Sequence, residues 1–369
     1  MTASFPVDRS DLATPALILD RAALDRNIQA MTDFAHTRGI ALRPHAKTHK
    51  SARIAQRQLA AGAIGTACAK LGEAEALAAE GIGNLLITSP VVSEQAVARL
   101  IELNERIAGL TVVIDHPANA ARLAAAVAAK ALRVLIDIDP GLHRTGVTSA
   151  AAAVELAMRV GELAQLEFAG VQFYCGADQH VASLAGRREQ IASKTAYLET
   201  VLSALAASGF KAPIVSGGGT GSFAIDTELG VLTELQVGSY VFLDREYLDC
   251  QFDPSAPVFE PALSIDTRVV SANTAGQVTV DAGLKAMSTE AGPPRVLRGA
   301  DAASRFVFMG DEHGGLFTPA GADTPQLDQL ITLLPPHCDP TVNLYARYAV
   351  CDGATVVEFW PVTARGFSG

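Results

Sequence analysis

The sequence predicts an α/β protein in which a TIM-type (β/α)8 barrel is followed by an antiparallel β domain. Through the first two thirds of the chain, short apolar runs alternate with longer alanine-rich segments. Eight such strand–helix units are what a (β/α)8 barrel requires. From about residue 255 the chain instead alternates apolar and polar residues between Gly, Pro and Asn turns, which is typical of antiparallel strands. A doubly wound open sheet is the alternative to the barrel.

Each predicted barrel strand precedes a helical segment. The strands are residues 41–47, 64–69, 84–89, 110–115, 132–139, 168–176, 212–219 and 234–242. Helical periodicity is clear over 73–81, 118–130 and 188–209.

The remaining strands belong to the second domain. They are residues 263–272, 277–283, 305–310 and 355–362. PALILD at 15–20 precedes the barrel strands, and we expect it to pair into this second sheet. The sequence therefore predicts a barrel over residues 21–252 and a β domain formed by residues 1–20 and 253–369.

Composition describes a well-packed soluble enzyme. Of the 369 residues 49% are hydrophobic, and the net charge of 29 − 39 = −10 argues against binding to nucleic acid or to an anionic membrane. The five cysteines are scattered without CxxC spacing, so we expect neither a disulfide framework nor a structural zinc site. No secretory signal and no apolar segment of about 18 residues is visible, which favours a cytoplasmic protein.

The segment RPHAKTHK at 43–50 carries five basic side chains in eight residues of an acidic protein. Basic residues at the end of a strand can hold an anion, or lower the pKa of a lysine until its amine is a nucleophile. A solvated basic loop is the alternative. In a barrel, this segment lies at the carboxyl ends of the strands, where active sites form.

The glycine-rich segment SGGGTGS at 216–222 predicts a phosphate cradle. It offers backbone N–H groups without obstructing side chains, together with hydroxyl groups. Its position after strand seven, followed by GSY at 238–240 after strand eight, is the usual phosphate site of such barrels. A flexible turn is the alternative, and the context of a dinucleotide site is missing.

HCDP at 337–340 is a second cluster of polar residues. His337 and Asp339 would point the same way on an extended segment, so both could reach one cation. A histidine and a carboxylate with open water positions suit Mn²⁺ or Mg²⁺. The alternative is a turn that Asp339 caps before Pro340.

Taken together, these motifs resemble one known family. The resemblance rests on RPHAKTHK, HRTG (143–146), QFYCG…QH (172–180), SGGGTGS, GSYVFLD (238–244), DAGLK (281–285), GDEHG (310–314), PPHCDPTVNL (335–344) and ARG (364–366), in that order. The chain is similar from about residue 13 to its end to the D-threonine aldolase / D-serine dehydratase family. These are fold-type III pyridoxal phosphate enzymes with an alanine-racemase-like barrel.

The resemblance implies a role for each matching residue. Lys47 would form the Schiff base with pyridoxal 5′-phosphate, Arg144 would lie near its phenolic oxygen, and Tyr174 near its pyridine nitrogen. His180 would be a catalytic group at the substrate hydroxyl. The phosphate would be held by Thr220, Gly221, Gly238, Ser239 and Tyr240, and the metal by His337 and Asp339.

The branch of the family depends on Asp339. Its dehydratases carry a His-x-Cys zinc pair, whereas its aldolases carry His-x-Asp and use Mn²⁺, Mg²⁺ or a similar ion. This chain reads His-Cys-Asp, so an oxygen ligand and a harder ion are favoured over Zn²⁺. Cys175, and TACAK at 66–70 in place of the expected Cys-Cys-Gln-Lys, depart from the family pattern.

We therefore predict retro-aldol cleavage of a D-3-hydroxy amino acid, of the D-threonine type, to glycine and an aldehyde. Arg187 and Arg188 are insufficient to claim 3-hydroxyaspartate as the substrate. The alternative is a D-serine or D-3-hydroxyaspartate dehydratase that gives a keto acid and ammonia. A racemase, for which Tyr247 or Tyr345 could be the second acid, and a pyridoxal phosphate carrier are further alternatives. The family also implies a homodimer.

Overall fold

The structure is a computed structural model that describes residues 6–369, and its first sheet has eight parallel strands. These are Ala41–Leu42, Thr66–Cys68, Leu85–Ile87, Thr111–Ile114, Leu132–Ile138, Leu166–Phe173, Ile214–Gly217 and Glu234–Leu235. We number them barrel strands one to eight. Strand five is apolar almost throughout and buried, as expected for a parallel strand covered on both faces.

Strand order confirms the predicted barrel. Neighbouring strands in the sheet follow one another in the chain, and strand one pairs with strand eight. An isolated parallel bridge between His45 and Ala67 joins the other two edges, so the sheet closes on itself. In a doubly wound sheet the strand order would instead reverse at a switch point.

The first and last barrel strands are shorter than predicted. Strand one is regular over Ala41–Leu42, the amides of Arg43 and His45 still donate to the carbonyls of Leu235 and Val237, and a 3₁₀ turn then carries Ala46–Thr48. Strand eight ends at Leu235, and a second 3₁₀ turn forms over Ser239–Val241 after Gly238. Both turns place side chains at the carboxyl end of the barrel.

Eight helices surround the barrel strands: the first precedes strand one, and the other seven follow strands one to seven. They are Arg21–Arg38, Ala52–Ala60, Leu71–Ala79, Glu94–Arg106, Pro117–Ala126, Ala150–Gly161, Leu184–Ala207 and Phe223–Leu229. Side-chain caps begin several of them: Ser183, for example, accepts a hydrogen bond from the amide of Gly186 at 3.1 Å. Two short helices, Arg245–Leu248 and Cys338–Val342, lie outside this series.

The second sheet has ten strands and is mostly antiparallel. They are Val7–Asp8, Ala16–Asp20, Leu263–Thr274, Gln277–Val280, Arg295–Arg298, Arg305–Phe308, Gly314–Phe317, Leu330–Leu334, Arg347–Asp352 and Thr355–Pro361. Ala16–Asp20 pairs with two later strands, as predicted. Residues 1–5 of the predicted β domain lie outside the described residues, and the boundary at 252/253 stays a prediction.

Two hydrophobic clusters hold these parts together. One lies between the barrel strands and their helices, with Val134 and Leu198 fully buried, whereas a separate small cluster that includes Leu86 and Leu135 fills the inside of the barrel. The second cluster joins the barrel end to the second sheet and includes Tyr240, Ile265 and Tyr348. Cys338 belongs to this second cluster, so the segment 337–339 packs against the barrel end. Within residues 6–369, no helix combines the length and apolar character that crossing a membrane requires.

Candidate active site

A cavity of about 190 Å³ opens where the barrel strands end. It is lined by the loops that follow several barrel strands and by His337 and Asp339, which lie between two strands of the second sheet. The lining residues are His45, Lys47, Thr48, Leu142, Arg144, Tyr174, Gly176, His180, Gly219, Thr220, Gln236, Gly238, Ser239, Tyr247, His337 and Asp339. The predicted lysine, glycine loop and metal pair therefore meet in one space.

Lys47 is the lysine of the basic segment that faces this cavity. It lies on the 3₁₀ turn Ala46–Thr48, and its side chain is 35% exposed. Lys50, three residues later, is buried and its ammonium hydrogen-bonds to Glu73. Since that ammonium is neutralised by a carboxylate away from the cavity, only Lys47 of these two lysines is available to a ligand there.

The rest of the basic segment is buried and not a solvated loop. Arg43 forms an ion pair with Glu234, with N–O distances of 2.8 and 3.2 Å. Burial, and then the charge of Lys47, lower the pKa of His45, and burial lowers that of His49 to about 4. Both histidines are therefore neutral at pH 7.

The pKa of Lys47 is raised, contrary to one of the two tasks predicted for the basic segment. The nearby phenol of Tyr174 has the largest effect, and the carboxylate of Asp339 adds to it, against burial and the charge of Arg144. The crowding of basic groups does not lower this pKa, because Arg43 has an acidic partner and the histidines are neutral.

Tyr174 forms one wall of the cavity between two cations. The ring centroid lies 5.5 Å from Lys47 Nζ and 5.8 Å from the guanidinium carbon of Arg144. At these distances each cation is attracted to the ring. The residues predicted to surround the cofactor ring are thus brought together.

Three of the five residues predicted to hold the phosphate face the cavity. Thr220, Gly238 and Ser239 line the cavity, but Gly221 and Tyr240 do not. The amide of Gly221 donates to Gln179 Oε1 at 3.0 Å, and that of Tyr240 donates to Thr220 Oγ1 at 3.0 Å. These two amides therefore shape the loop, whereas the other three residues face the cavity.

Gln179 was missed by the sequence reasoning and organises this loop. It is fully buried, and its Nε2 donates to Ser222 Oγ at 2.9 Å and to the Cys175 carbonyl at 3.2 Å. Ser222 in turn donates to Asp226, whose pKa burial raises to about 7. The sequence signal was QH at 179–180, but only His180 was interpreted.

The predicted metal pair lies across the cavity from Lys47. His337 Nε2 is 3.8 Å from Asp339 Oδ1, and Lys47 Nζ is 3.9 Å from Asp339 Oδ2. All three residues belong to the same chain, so the pair faces its own barrel. The expected extended segment is wrong in detail, because His337 is extended but the helix Cys338–Val342 begins immediately after it.

Outer contacts orient the pair. His337 Nδ1 lies 2.8 Å from Glu290 Oε1, which leaves Nε2 free to donate its electron pair. Burial disfavours the charged form of His337, but neighbouring carboxylates led by Asp339 outweigh it and raise its pKa. Cys338 is buried with a raised pKa and does not line the cavity, so its thiol is no candidate ligand.

His180 faces the same space as a neutral base. Its Nε2 is buried without a hydrogen-bond partner, and its Nδ1 lies 3.5 Å from Glu246 Oε1. Burial, reinforced by His337, lowers the pKa of His180 to about 4. A neutral imidazole with an unpaired nitrogen can accept a proton from a bound hydroxyl group.

Asp244 was also missed, and it fixes the metal segment to the barrel. One carboxylate oxygen accepts from the amide of Cys338 at 2.8 Å and the other from that of Tyr247 at 3.2 Å. Burial raises the pKa of Asp244 to about 6, although His337 and both amides favour its ionised form.

Of the other candidates, Arg187, Arg188 and Tyr345 lie away from the cavity. The guanidinium of Arg187 donates to the carbonyls of Val181 and Gln251, and Arg188 pairs with Glu228 at 2.6 Å. The hydroxyl of Tyr345 donates to a backbone carbonyl, whereas Tyr247 lines the cavity. Neither arginine can therefore contact a substrate here.

The residues fit pyridoxal phosphate. A Cβ at Gly219 would lie 2.5 Å from Gln179 Oε1, and one at Gly238 would lie 2.6 Å from Thr48 Oγ1. Only glycine lets the two loops approach Gln179 and Thr48 this closely, and both glycines line the cavity. The amine of Lys47 could bond to the cofactor aldehyde, and the ring of Tyr174 offers an aromatic wall beside it.

The residues also fit a divalent ion held by two protein ligands. Asp339 Oδ1 is buried without a hydrogen-bond partner, and its 3.8 Å separation from His337 Nε2 suits two ligands of one ion. Across residues 6–369, no cluster of three or more His, Cys, Asp or Glu side chains is arranged for a metal. Water would have to complete the coordination.

Comparison with known proteins supports one family. The model of the family described as "alanine racemase, N-terminal domain" matches residues 19–246, and that of the "putative serine dehydratase domain" matches residues 262–351. A D-threonine aldolase from Arthrobacter sp. is 37% identical over 98% of this chain and 95% of its own. A 3-hydroxy-D-aspartate aldolase from Paracoccus denitrificans (strain Pd 1222) is 37% identical, covering 98% and 94%.

A solved structure agrees with both relatives. The crystal structure of D-threonine aldolase from Filomicrobium marinum superposes with a TM-score of 0.95 at 37% identity, covering 100% of this chain and 99% of that one. The chain therefore belongs to the D-threonine aldolase / D-serine dehydratase family of fold-type III pyridoxal phosphate enzymes, and it is a lyase.

Proposed function

We propose that this lyase cleaves D-3-hydroxy amino acids of the D-threonine type to glycine and an aldehyde, with pyridoxal phosphate and a divalent ion. The observation that carries the proposal is the 3.9 Å separation between Lys47 and Asp339 in one cavity. It gives an amine for the cofactor aldehyde next to an oxygen ligand for the ion. The names of the aldolase relatives support the reaction and the configuration of the substrate.

Each residue has a defined task in this proposal. Lys47 would bind the cofactor aldehyde, Tyr174 would contact the cofactor ring, and Arg144 would interact with its phenolic oxygen. His337 and Asp339 would hold the ion, which would act as a Lewis acid on the substrate hydroxyl. The carboxylate favours Mn²⁺ or Mg²⁺, with Zn²⁺ as the softer alternative.

The proton transfer falls to His180. Its unpaired Nε2 would take the proton from the β-hydroxyl of the substrate, and Glu246 beside Nδ1 would stabilise the resulting imidazolium. When bound, the cofactor supplies an electron sink for the pair released from the Cα–Cβ bond. The Cα–Cβ bond would then break, the former hydroxyl carbon would leave as an aldehyde, and Cα would take a proton from water to give glycine while the imidazolium of His180 returns its proton to water.

The test is a product assay with D-threonine. The purified enzyme with cofactor and Mn²⁺ should release glycine and acetaldehyde in equal amounts, with L-threonine as the matched control. A keto acid and ammonia in their place would make the enzyme a dehydratase of the kind that its second family match suggests. No reaction with either isomer would refute the proposed substrate class.

The proposal includes a cytoplasmic homodimer. The family resemblance supports the dimer, and the five free cysteines suit a reducing compartment. Sedimentation equilibrium of the purified enzyme tests the dimer, because a mass equal to one chain of 38.5 kDa would contradict it.

A further inference from the structure

Thr48 carries a buried hydroxyl with no hydrogen-bond partner among the described residues. The side chain is fully buried, yet the residue lines the cavity. A buried hydroxyl that is left unpaired destabilises the folded protein, so such a group calls for a partner. A ligand oxygen at this end of the cavity would supply that partner.

The surroundings of Thr48 identify the kind of ligand. Gly238 packs against Thr48, and a Cβ there would come within 2.6 Å of Thr48 Oγ1, so only glycine fits beside the hydroxyl. Thr220 and Ser239 line the same end of the cavity. Thr220 Oγ1 already accepts from the amide of Tyr240, so its own proton remains available to a second acceptor. Hydroxyl donors around a glycine-lined space suit the oxygens of a phosphate group.

Two backbone amides of the glycine-rich segment 216–222 are not available to a phosphate. The amide of Gly221 is taken by Gln179, and that of Gly219 donates to Ser222 Oγ at 3.2 Å. Two amides that the sequence offered to the phosphate are therefore used inside the protein. Side-chain hydroxyls must replace them if the phosphate is to be fully bound.

We propose that Thr48 donates a hydrogen bond to the phosphate of pyridoxal phosphate, which makes the turn that carries Lys47 part of the phosphate site. The inference rests on the proposed cofactor. Because Thr48 directly follows Lys47 on the 3₁₀ turn Ala46–Thr48, one ligand contact would also fix the position of the amine. Adjacent residues would then hold the aldehyde carbon and the phosphate of the cofactor, whose substituents are on neighbouring ring carbons.

The experiment compares cofactor binding by Thr48→Val and Thr48→Ser with the wild type. Valine keeps the shape of threonine without the hydroxyl, whereas serine keeps the hydroxyl. A hydrogen bond to a charged group is worth about a 10- to 100-fold change in affinity. We expect the Kd for pyridoxal phosphate, from absorbance titration of the apoenzyme, to rise by about this factor in Thr48→Val and to stay near wild type in Thr48→Ser.

Pyridoxal, which lacks the phosphate, is the control ligand. Its affinity should be the same in wild type and Thr48→Val if the hydroxyl acts on the phosphate. Unchanged binding of pyridoxal phosphate by Thr48→Val, or equal losses for both ligands, would overturn the inference. Thermal unfolding of both variants checks that they fold. A wild-type enzyme that fails to bind pyridoxal phosphate at all would instead refute the proposed cofactor chemistry.

Discussion

At the scale of single residues, the site is defined by which polar groups lack a partner. His180 Nε2, Asp339 Oδ1 and Thr48 Oγ1 are all buried, unpaired and located at one cavity. By contrast, Lys50 and Arg43 are satisfied by Glu73 and Glu234. Burial of unpaired groups is costly, so a ligand in this cavity could stabilise these three groups by supplying their missing partners.

Replacing His180 tests its role as a base. In His180→Asn we expect kcat for D-threonine cleavage to fall by about 10²- to 10⁴-fold, because the proton acceptor is lost. The visible spectrum of the bound cofactor should not change. His143→Asn is the matched control, since His143 is 78% exposed and does not line the cavity. Equal activity of the two variants would remove His180 from the mechanism.

Sequence reasoning found the residues whose role is local, and missed those whose role depends on distant contacts. Lys47 and the glycine loop were predicted because they follow apolar runs that end at a barrel face. Asp244 could not be predicted in the same way, since its partner Cys338 lies 94 residues later. Gln179 acts on Ser222, 43 residues away.

At the scale of elements, the position of the metal pair depends on one buried carboxylate. Asp244 begins the helix Arg245–Leu248 and also accepts from the first residue of the helix Cys338–Val342. His337 and Asp339 are thus attached to the barrel through Asp244. The spacing of the pair was predicted correctly, but on an extended strand instead of a helix start.

Asp244→Asn should weaken metal binding. In asparagine an NH₂ group, which cannot accept a hydrogen bond, replaces one of the two oxygens, so the amide of either Cys338 or Tyr247 loses its acceptor. We expect the Kd for Mn²⁺, measured by calorimetry on the cofactor-loaded enzyme, to rise by about 10-fold or more. Asp249→Asn is the control on the same short segment, because Asp249 pairs only with arginines at the surface. Unaltered Mn²⁺ affinity in Asp244→Asn would contradict this role.

Metal removal tests the ion independently of any substitution. Chelation should abolish cleavage of D-threonine while the bound cofactor keeps its absorption band, because the ion and the cofactor are held by different residues. Added Mn²⁺ or Mg²⁺ should restore the activity. Full activity in the chelated enzyme, with residual metal excluded by elemental analysis, would show that His337 and Asp339 serve another purpose.

At the scale of the whole molecule, the barrel and the second sheet share one hydrophobic cluster, and the cavity lies between their loops. The order of the barrel strands was predictable because each apolar run is followed by a helix. Several strands of the second sheet, such as Arg295–Arg298, were not, because their alternation is interrupted by exposed residues. Long-range pairing decides those strands.

Stability should depend on pH through His49. Burial lowers the pKa of His49 to about 4 in the folded chain, against 6.5 when unfolded. The unfolded chain therefore binds this proton first, and the contribution is complete above pH 6.5 and lost as pH falls towards 4. We expect the free energy of unfolding to fall by up to about 1.4 kcal/mol per pH unit in this window for this one group.

Urea denaturation at a series of pH values measures this effect. In His49→Asn, the amide oxygen can replace Nδ1 as acceptor for the amide of Ser51. The slope of the free energy of unfolding against pH should decrease between pH 4 and 6.5 by the contribution of about one proton. His36→Asn, on the exposed face of the first helix, should leave the slope as in wild type. Identical slopes for all three proteins would mean that His49 is protonated in the folded state.

The most direct measurement is the location of the cofactor on the chain. Borohydride reduction of the cofactor-loaded enzyme, followed by proteolysis and mass spectrometry, should find a single pyridoxyl group on Lys47 and none on Lys50. A label on Lys50, or no stable label at all, would contradict the assignment of Lys47 as the amine that faces His337 and Asp339.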